Sequence, residues 1–199
     1  MTLYTGRRRI FFVTGRPGVG KTTLVKRVAE YLFENYKVDG FITLEVREGG
    51  SRVGFKIMSI AKALGKEGPE DWLAHVSMFR DGPRIGKYHV NLSAIEDVAI
   101  KILESAIQNA ELIVIDEIGP MELLHRKFLP TVERVLNSDK VVLATVHIRF
   151  REDERLRKLV QRPDALLVEL TVQNRNNMYQ IVRHNVEQAL KALRREMRG

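Results

Sequence analysis

The residues best suited to chemistry begin with a glycine-rich loop that ends in a lysine and a threonine. Its eight residues, Gly15 to Thr22, fit the pattern G-x-x-x-x-G-K-[ST]. They follow the apolar run Ile10–Val13 and precede a helix-like segment from Thr23, which is the context that a phosphate-binding P-loop requires. Glycines let such a loop present its backbone N–H groups to phosphate oxygens, and the start of the next helix adds partial positive charge. The stretch therefore predicts a site for a phosphate chain.

Each side chain of this loop has an expected role. Lys21 is expected to reach the β- and γ-phosphates, and the Thr22 hydroxyl is expected to ligate Mg²⁺. Thr23 could contact the α-phosphate, or it simply belongs to the first turn of the helix. The residues predicted to bind the nucleotide are Gly15, Arg16, Pro17, Gly18, Val19, Gly20, Lys21, Thr22 and Thr23. The loop alone does not identify the base.

An acidic pair at the end of an apolar run is the second chemical motif. Leu112–Ile115 are four residues of the buried type, and Asp116 and Glu117 follow them. Because the carboxyl ends of parallel strands face the ligand crevice, Asp116 is expected beside the P-loop, where it can hold Mg²⁺ directly or through water. Glu117 is expected to orient and deprotonate a water for attack on the γ-phosphorus. The alternative for Glu117 is a surface or helix-capping glutamate.

Other polar residues are candidates for the same reaction. The run Ala144–His147 would bring Thr145 and His147 to the carboxyl edge of the sheet, near the attacking water or the γ-phosphate. The alternative for His147 is a strand-end histidine bonded to a backbone carbonyl. Hydrolysis in P-loop proteins is slow without an arginine that stabilises the transition state. Arg162 is a candidate for that role. Further candidates are Arg47, Arg52, Arg80 and Arg84.

These motifs need a sheet to position them, and the pattern of the chain predicts one. Apolar runs of strand length alternate with helix-like segments, which is typical of an α/β domain with a mainly parallel sheet. Parallel strands are predicted at 9–14, 40–46, 111–116, 140–146 and 166–172. Helices are predicted at 20–36, 93–109, 121–137, 152–161 and 174–197, with a break or a new helix at Pro130. Between 47 and 90, short candidate strands at 52–60, 74–79 and 86–90 predict a small antiparallel insertion at the sheet edge.

The composition bounds the class of protein. A chain of 199 residues with 44% hydrophobic content supports one domain with a core, residues 1–199, and is short for two. Its apolar runs are of strand length, so no membrane span is expected. Arg7–Arg9 before Ile10 imitate the start of a signal peptide, but the apolar run ends after four residues. The absence of cysteine excludes disulfides and thiolate chemistry, and the expected location is the cytoplasm.

The net charge of +8 bears on which partners the chain could bind. A basic balance is compatible with nucleic-acid binding, and it also suits an enzyme with a polyanionic substrate. Many of the charges mix both signs on one predicted helix, as in 151–155, which is typical of a solvated face. Nucleic acid is therefore the less favoured partner. A complete site within one chain makes a monomer the simplest expectation.

Several blocks along the chain resemble a known family. They are Gly15–Thr23, Gly40–Arg47, Gly49–Gly50, Arg52–Phe55, Asp116–Leu123, Ala144–His147 and Arg162–Asp164. In these blocks the chain is similar to the small nucleoside-triphosphatase family that includes thermophile enzymes and the vertebrate cancer-related nucleoside-triphosphatase. The resemblance implies a RecA-like P-loop fold in which an extra strand separates the strand before the P-loop from the one that ends at Asp116. It also implies Mg²⁺-dependent hydrolysis of ATP, GTP and other nucleoside 5′-triphosphates to diphosphate and phosphate, with weak base selectivity.

Three other functions remain open from the sequence. A small-molecule or nucleotide kinase uses the same P-loop on a domain of similar size, although a carboxylate at Glu117 is suited to activating water, which a kinase must exclude. An RNA- or DNA-linked ATPase, or a nucleotide-gated adaptor, would bind its partner through the basic C-terminal region. A P-loop that only binds and switches would retain nucleotide with almost no turnover.

Overall fold

The computed structural model describes residues 8–197, and Arg7 of the basic N-terminal stretch lies outside them. Within these residues nine strands form one sheet, with the neighbour order β5-β6-β4-β3-β2-β7-β8-β1-β9. The strands are β1 (Ile10–Thr14), β2 (Val38–Glu48), β3 (Ser51–Ser59), β4 (Glu70–His75), β5 (Arg84–Ile85), β6 (Tyr88–Val90), β7 (Leu112–Ile118), β8 (Val141–Val146) and β9 (Ala165–Glu169).

The strands β2, β7, β8, β1 and β9 are parallel neighbours, which confirms the predicted α/β fold with a mainly parallel sheet. Strand β8 separates β1 from β7, as the family resemblance implied. Residues of β1 and β8 are buried along their whole length, because helices cover both faces of the sheet. The carboxyl ends of β1, β7 and β8 consequently meet at one edge, and predicted site residues lie at or directly after all three.

The insertion extends this sheet rather than forming a separate layer. Strand β2 runs on to Glu48, turns at Gly49 and Gly50 with φ of 53° and 78°, and returns as the antiparallel β3. Strands β4, β6 and β5 continue the antiparallel order to the edge. The strand predicted at 74–79 begins earlier, at Glu70, because its first residues are polar and exposed and give no apolar signal. The predicted antiparallel insertion is therefore confirmed, with shifted bounds.

Six helices lie between these strands in the part of the chain that the structure describes. They are α1 (Lys21–Phe33), α2 (Ile60–Ala63), α3 (Leu92–Ala94, continued by the π-helical Ile95–Ile100 and by Lys101–Asn109), α4 (Phe128–Asn137), α5 (Glu154–Val160) and α6 (Arg175–Glu196). Two 3₁₀ turns span Glu122–Leu124 and Ile148–Glu152. None of the helices among residues 8–197 is long and apolar enough to cross a bilayer.

The helix predicted at 121–137, with a break or a new helix at Pro130, is interrupted earlier than predicted. The chain forms the 3₁₀ turn first, and α4 then begins at Phe128. Pro130 therefore lies in the first turn of α4, where a backbone N–H would have no partner within the helix in any case. The separation matters for the site, because it leaves the residues between β7 and α4 free to fold over the end of the sheet.

Two apolar clusters hold the sheet between helices. Helices α1 and α6 cover one face through residues such as Leu24, Leu32 and Leu190, and α3 and α4 cover the other. In β1 the residues alternate between the two clusters, with Phe11 on one side and Phe12 on the other. Strand β1 is thus fixed from both faces, which fixes the start of the P-loop that leaves its end.

Candidate active site

The P-loop leaves the carboxyl end of β1 and folds over the start of α1. Gly15, Gly18 and Gly20 adopt φ of 151°, 77° and 108°, in the region that favours glycine. A Cβ on Gly15 would also lie 2.5 Å from the carbonyl oxygen of Leu170, so a side chain is excluded there by contact as well. Since Gly20 precedes the first residue of α1 and has no side chain to cap it, the first N–H groups of α1 are available to an anion.

Lys21 connects the P-loop to the acidic pair at the end of β7. Its Nζ donates a hydrogen bond to the carbonyl oxygen of Gly15 at 3.1 Å and lies 3.4 Å from Oε2 of Glu117. Only 10% of the Lys21 side chain and 24% of the Glu117 side chain are exposed. Burial raises the pKa of Glu117, while the nearby Lys21 ammonium opposes this effect and favours the carboxylate. The P-loop cation and a carboxylate able to accept a proton therefore stand side by side.

Asp116 lies under this pair and is 1% exposed. Its Oδ1 accepts a hydrogen bond from the Thr145 hydroxyl at 2.5 Å, while its Oδ2 is buried without a partner among the described residues. Burial raises the pKa of Asp116 to about 6, against the opposing effect of the Thr145 and Thr22 hydroxyls. A buried carboxylate oxygen without a partner is costly, and a hard divalent cation is a partner that suits carboxylate and hydroxyl oxygens. Asp116 and Thr22 therefore fit a Mg²⁺ ion.

A metal ion held by the protein alone would require more ligands than Asp116 and Thr22. Among residues 8–197, no group of three or more histidine, cysteine, aspartate or glutamate side chains is placed to hold a metal ion. Mg²⁺ in phosphoryl-transfer sites is commonly held by one or two protein groups together with phosphate oxygens and waters. The geometry thus fits an ion that arrives with a triphosphate.

Glu122 is a third carboxyl at the site, and it is not among the functional residues predicted from the sequence. It lies in the 3₁₀ turn after β7, is 4% exposed, and lines the same cavity as Glu117. Gly119 lies between the two: a Cβ there would be 3.0 Å from Oε1 of Glu117 and from Oε2 of Glu122. Burial, and then the charge of Glu117, raises the pKa of Glu122 to about 8, so its carboxyl carries a proton at neutral pH. The only sequence signal was its place in the acidic block that begins at Asp116.

Glu122→Gln is expected to change how stability depends on pH. Because the folded pKa of Glu122 is raised above its unfolded value of 4.5, folding retains a proton between about pH 4.5 and about 8, and the free energy of unfolding falls as pH rises through this window. Glutamine resembles the protonated carboxyl and has no proton to lose. Chemical denaturation without nucleotide should show the variant gaining up to about 5 kcal/mol over wild type by pH 9, and almost nothing at pH 4. Glu104→Gln, at an exposed position, serves as the control; parallel pH profiles for Glu122→Gln and wild type would contradict the assignment.

His147 lies at the carboxyl edge, where the sequence placed it. It lines the cavity beside the P-loop, and its Nδ1 accepts a hydrogen bond from the backbone N–H of Arg149 at 3.3 Å. Burial, together with the charges of Lys21 and Arg149, lowers the pKa of His147. The ring is therefore neutral at pH 7, with its Nε2–H as the remaining donor.

Arg162 is not brought to this site. It precedes β9, so it lies at the amino ends of the parallel strands, whereas the P-loop lies at their carboxyl ends. Its guanidinium donates to Asp164, to the side chain of Asn137 at 2.9 Å and to the carbonyl oxygen of Leu136 at 3.1 Å. Arg162 therefore fixes the opposite edge of the sheet, and we assign it no catalytic role.

One cavity of about 560 Å³ connects the P-loop with the insertion. Most predicted site residues line it: Gly15, Pro17, Gly18, Gly20, Lys21, Thr22, Thr23, Asp116, Glu117 and His147. Two P-loop residues do not: Val19 is buried beneath the loop and Arg16 is exposed, with its carbonyl oxygen accepting from the N–H of Val19 at 3.2 Å. Of the insertion arginines named above, Arg52 lines the cavity. The cavity therefore brings together the glycine-rich loop, the oxygens of Thr22 and Asp116, and the carboxylate of Glu117.

Comparison with known proteins gives a match over most of the chain. The model of a protein family described as NTPase matches residues 10–183. The nucleoside-triphosphatase THEP1 of Thermofilum pendens is 48% identical over 167 residues, which are 83% of this chain and 88% of that protein. The nucleoside-triphosphatase THEP1 of Methanocaldococcus jannaschii is 40% identical over 182 residues, which are 90% of this chain and 98% of that protein.

Two solved structures are similar in fold and in sequence. The crystal structure of THEP1 from the hyperthermophile Aquifex aeolicus has a TM-score of 0.74 and 35% identity, covering 87% of this chain and 96% of that one. The solution structure of a human cancer-related nucleoside triphosphatase has a TM-score of 0.74 and 32% identity, covering 92% of this chain and 98% of that one. The family match spans every residue of the candidate site described above.

Proposed function

Because the chain belongs to this family of NTPases and is a nucleoside-triphosphatase, we propose that it hydrolyses ATP, GTP and other nucleoside 5′-triphosphates to diphosphate and phosphate in a Mg²⁺-dependent reaction. The observation that carries the proposal is the 3.4 Å approach of Lys21 Nζ to Oε2 of Glu117. It joins the P-loop cation, which serves the β- and γ-phosphates, to a carboxylate that can activate a nucleophile. The γ-phosphate end of the substrate is thereby assigned to the space beside Glu117.

Glu117 acts on the attacking water. It accepts a hydrogen bond from the water and takes its proton while the water oxygen attacks the γ-phosphorus. The bond from phosphorus to the β–γ bridging oxygen breaks, and the nucleoside diphosphate leaves. Burial raises the pKa of Glu117, which makes its carboxylate a stronger base than an exposed glutamate, while the Lys21 ammonium opposes this shift and favours the ionised form.

The remaining groups hold the phosphates in place. The backbone N–H groups of the P-loop and the Lys21 ammonium offset the charge of the phosphate oxygens. Thr22 and Asp116 would hold the Mg²⁺ ion, with the unpartnered Oδ2 of Asp116 supporting this role. When bound, the ion supplies further charge neutralisation at the β- and γ-phosphates. His147, as a neutral ring at the same edge, is suited to donate a hydrogen bond to a γ-phosphate oxygen or to the water.

We also infer weak base selectivity and a single-chain enzyme. The contacts proposed above involve the phosphate chain, so they do not distinguish one base from another. All of the reacting groups come from one chain, which supports a monomer with one domain over residues 1–199. The cytoplasm is the proposed location, and nucleic acid is not proposed as a partner.

A phosphate-release panel tests this function. With Mg²⁺ and without any added acceptor, ATP, GTP, CTP and UTP should each yield phosphate, because hydrolysis needs only water and the phosphate-binding groups. Chelation of the divalent ion should reduce the release to background for all four nucleotides, and adding Mg²⁺ back should restore it. Added RNA should leave the rate unchanged. Release that survives chelation, or that needs RNA, would contradict the proposal.

A further inference from the structure

The cavity extends past the position of the hydrolytic water. The whole cavity, which includes the part beside the P-loop, lies within the range of roughly 300–1,000 Å³ that is typical of small-molecule sites. Strand β2 pairs with β7 so that Ile42 faces Asp116, which brings Thr43 level with Glu117 on the side away from the P-loop. The cavity of about 560 Å³ continues into this outer part, which we call the outer chamber and define by Thr43, Phe55, Leu73, Ile85 and Met121.

The outer chamber has an apolar wall and one unused hydroxyl. The Phe55 ring packs edge-to-face on Tyr88 with centroids 5.2 Å apart, and this aromatic pair joins the aliphatic side chains of the chamber. Oγ1 of Thr43 is buried and has no hydrogen-bond partner among the described residues. Leaving such a group unpaired costs about 1–3 kcal/mol. Attack by water alone requires no apolar wall, so the chamber suits an organic molecule that carries a polar group for Thr43.

The charges around the cavity indicate an occupant without charge. Among the described residues that line it, the cations are Lys21 and Arg52, since His147 is neutral. Lys21 is assigned to bind the phosphates of the nucleotide. Arg52 donates to Glu45 at 2.7 Å and to the Tyr88 hydroxyl at 2.8 Å, and Glu45 also pairs with Arg47. A second phosphate in the chamber would have to compete with Glu45 for Arg52 and would face the carboxylates of Glu45, Asp116 and Glu117 that line the cavity, which disfavours a nucleotide acceptor.

We propose that the outer chamber binds an uncharged organic alcohol with an apolar or aromatic body, and that the enzyme transfers the γ-phosphoryl group to its hydroxyl. The inference rests on the proposed function, because it uses the same triphosphate and the same base. The alcohol oxygen forms the new bond to phosphorus, the bond to the β–γ bridging oxygen breaks, and Glu117 takes the hydroxyl proton. The products are a phosphate monoester and the nucleoside diphosphate, and hydrolysis is the same reaction with water in place of the alcohol.

The test follows the γ-phosphate of labelled ATP with Mg²⁺ and one of two uncharged probes, thymidine or benzyl alcohol. At least one probe should yield labelled phosphate monoester, in larger proportion to phosphate than the ratio of alcohol to water in solution would give. Thymidine 5′-monophosphate, the charged counterpart, should yield none. Label that appears only as phosphate with both alcohols would overturn the inference while leaving the proposed hydrolysis intact. Absence of phosphate release without any alcohol would instead overturn the proposed hydrolysis.

Two variants test whether phosphoryl transfer to the alcohol takes place in the outer chamber. Ile85→Asp places a charge in its wall at a half-exposed position, and Thr43→Val removes the unused hydroxyl while keeping the shape. Both should lose ester formation and retain phosphate release, which also reports that they are folded. Ile181→Asp is the matched control, since this residue of α6 is 37% exposed and does not line the cavity; it should change neither product. Undiminished ester formation in Ile85→Asp and Thr43→Val would overturn the assignment to the chamber.

Discussion

Glu117→Gln is expected to bind nucleotide as wild type does and to lose about 10²–10⁴-fold in turnover, the usual contribution of a general base. Glutamine keeps the size of the side chain and its contact with the cavity, but it cannot take a proton from water. The 3.4 Å contact with Lys21 Nζ becomes one to a neutral amide oxygen, so the ammonium remains free to hold the phosphates. The variant should therefore keep the nucleotide affinity of wild type while its turnover falls.

Phosphate release under saturating ATP measures the turnover of this variant, and titration with a nonhydrolysable triphosphate analogue measures its affinity. Glu104→Gln is the control, because Glu104 is exposed and pairs only with Arg134 among the described residues. An exposed pair of this kind contributes little, so the control should match wild type in both measurements. Wild-type turnover in Glu117→Gln would show that another group activates the water.

Lys21→Ala is expected to weaken triphosphate binding by about 30- to 5,000-fold, which corresponds to about 2–5 kcal/mol for removing one partner of a largely buried charge pair. The Lys21 side chain is 10% exposed, and its ammonium contacts both the P-loop and Glu117. Without it, the phosphates face the carboxylates of Glu117 and Asp116 with one compensating charge fewer. The loss should be large for the triphosphate and small for the monophosphate, because Lys21 serves the β- and γ-phosphates.

Lys26→Ala controls for the general effect of removing a cation from α1. This lysine lies on the same helix, about one turn further on, and does not line the cavity. It should bind the triphosphate analogue as wild type does. If Lys21→Ala and wild type bound the triphosphate with equal affinity, Lys21 would not bind the phosphates. The assignment of the γ-phosphate end to the space beside Glu117 would then be wrong as well.

Much of the fold is readable from the sequence because parallel strands covered on both faces form continuous apolar runs. Leu112–Ile115 and Val141–Ala144 are such runs, and both belong to central strands. The strand β4 was misplaced because it lies in the antiparallel part, where polar residues such as Glu70 occupy an exposed start. The interruption of the helix predicted at 121–137 was placed at Pro130 rather than before Phe128 because a 3₁₀ turn and a helix together carry the same apolar spacing as one longer helix.

The core of the site could be predicted for a related reason. The P-loop and the Asp116–Glu117 pair are local motifs, and the rule that carboxyl ends of parallel strands meet at one edge brings them together. The hydrogen bond from Thr145 to Asp116 joins residues 29 apart and depends on strand pairing. The raised pKa of Glu122 depends on burial under the loop after β7, which no local pattern reveals.

Arg162 shows that the same rule can also exclude a residue. A side chain that precedes a parallel strand lies at its amino end, and the predicted strand at 166–172 already placed Arg162 before such a strand. Its hydrogen bonds to Asn137 and to the backbone of Leu136 agree with that position. The prediction of a catalytic arginine there rested on residue type, whereas the position relative to the strand favoured a structural role.

Hydrolysis in water enriched in ¹⁸O tests the central claim, which is that water attacks the γ-phosphorus. ATP and Mg²⁺ are incubated with the enzyme until only part of the ATP has been hydrolysed. The released phosphate and the ADP are then analysed by mass spectrometry. The predicted result is one ¹⁸O atom in the released phosphate and none in ADP. Label in ADP would mean that the bond between the γ-phosphorus and the bridging oxygen stays intact and that water attacks the β-phosphorus, which would contradict the account.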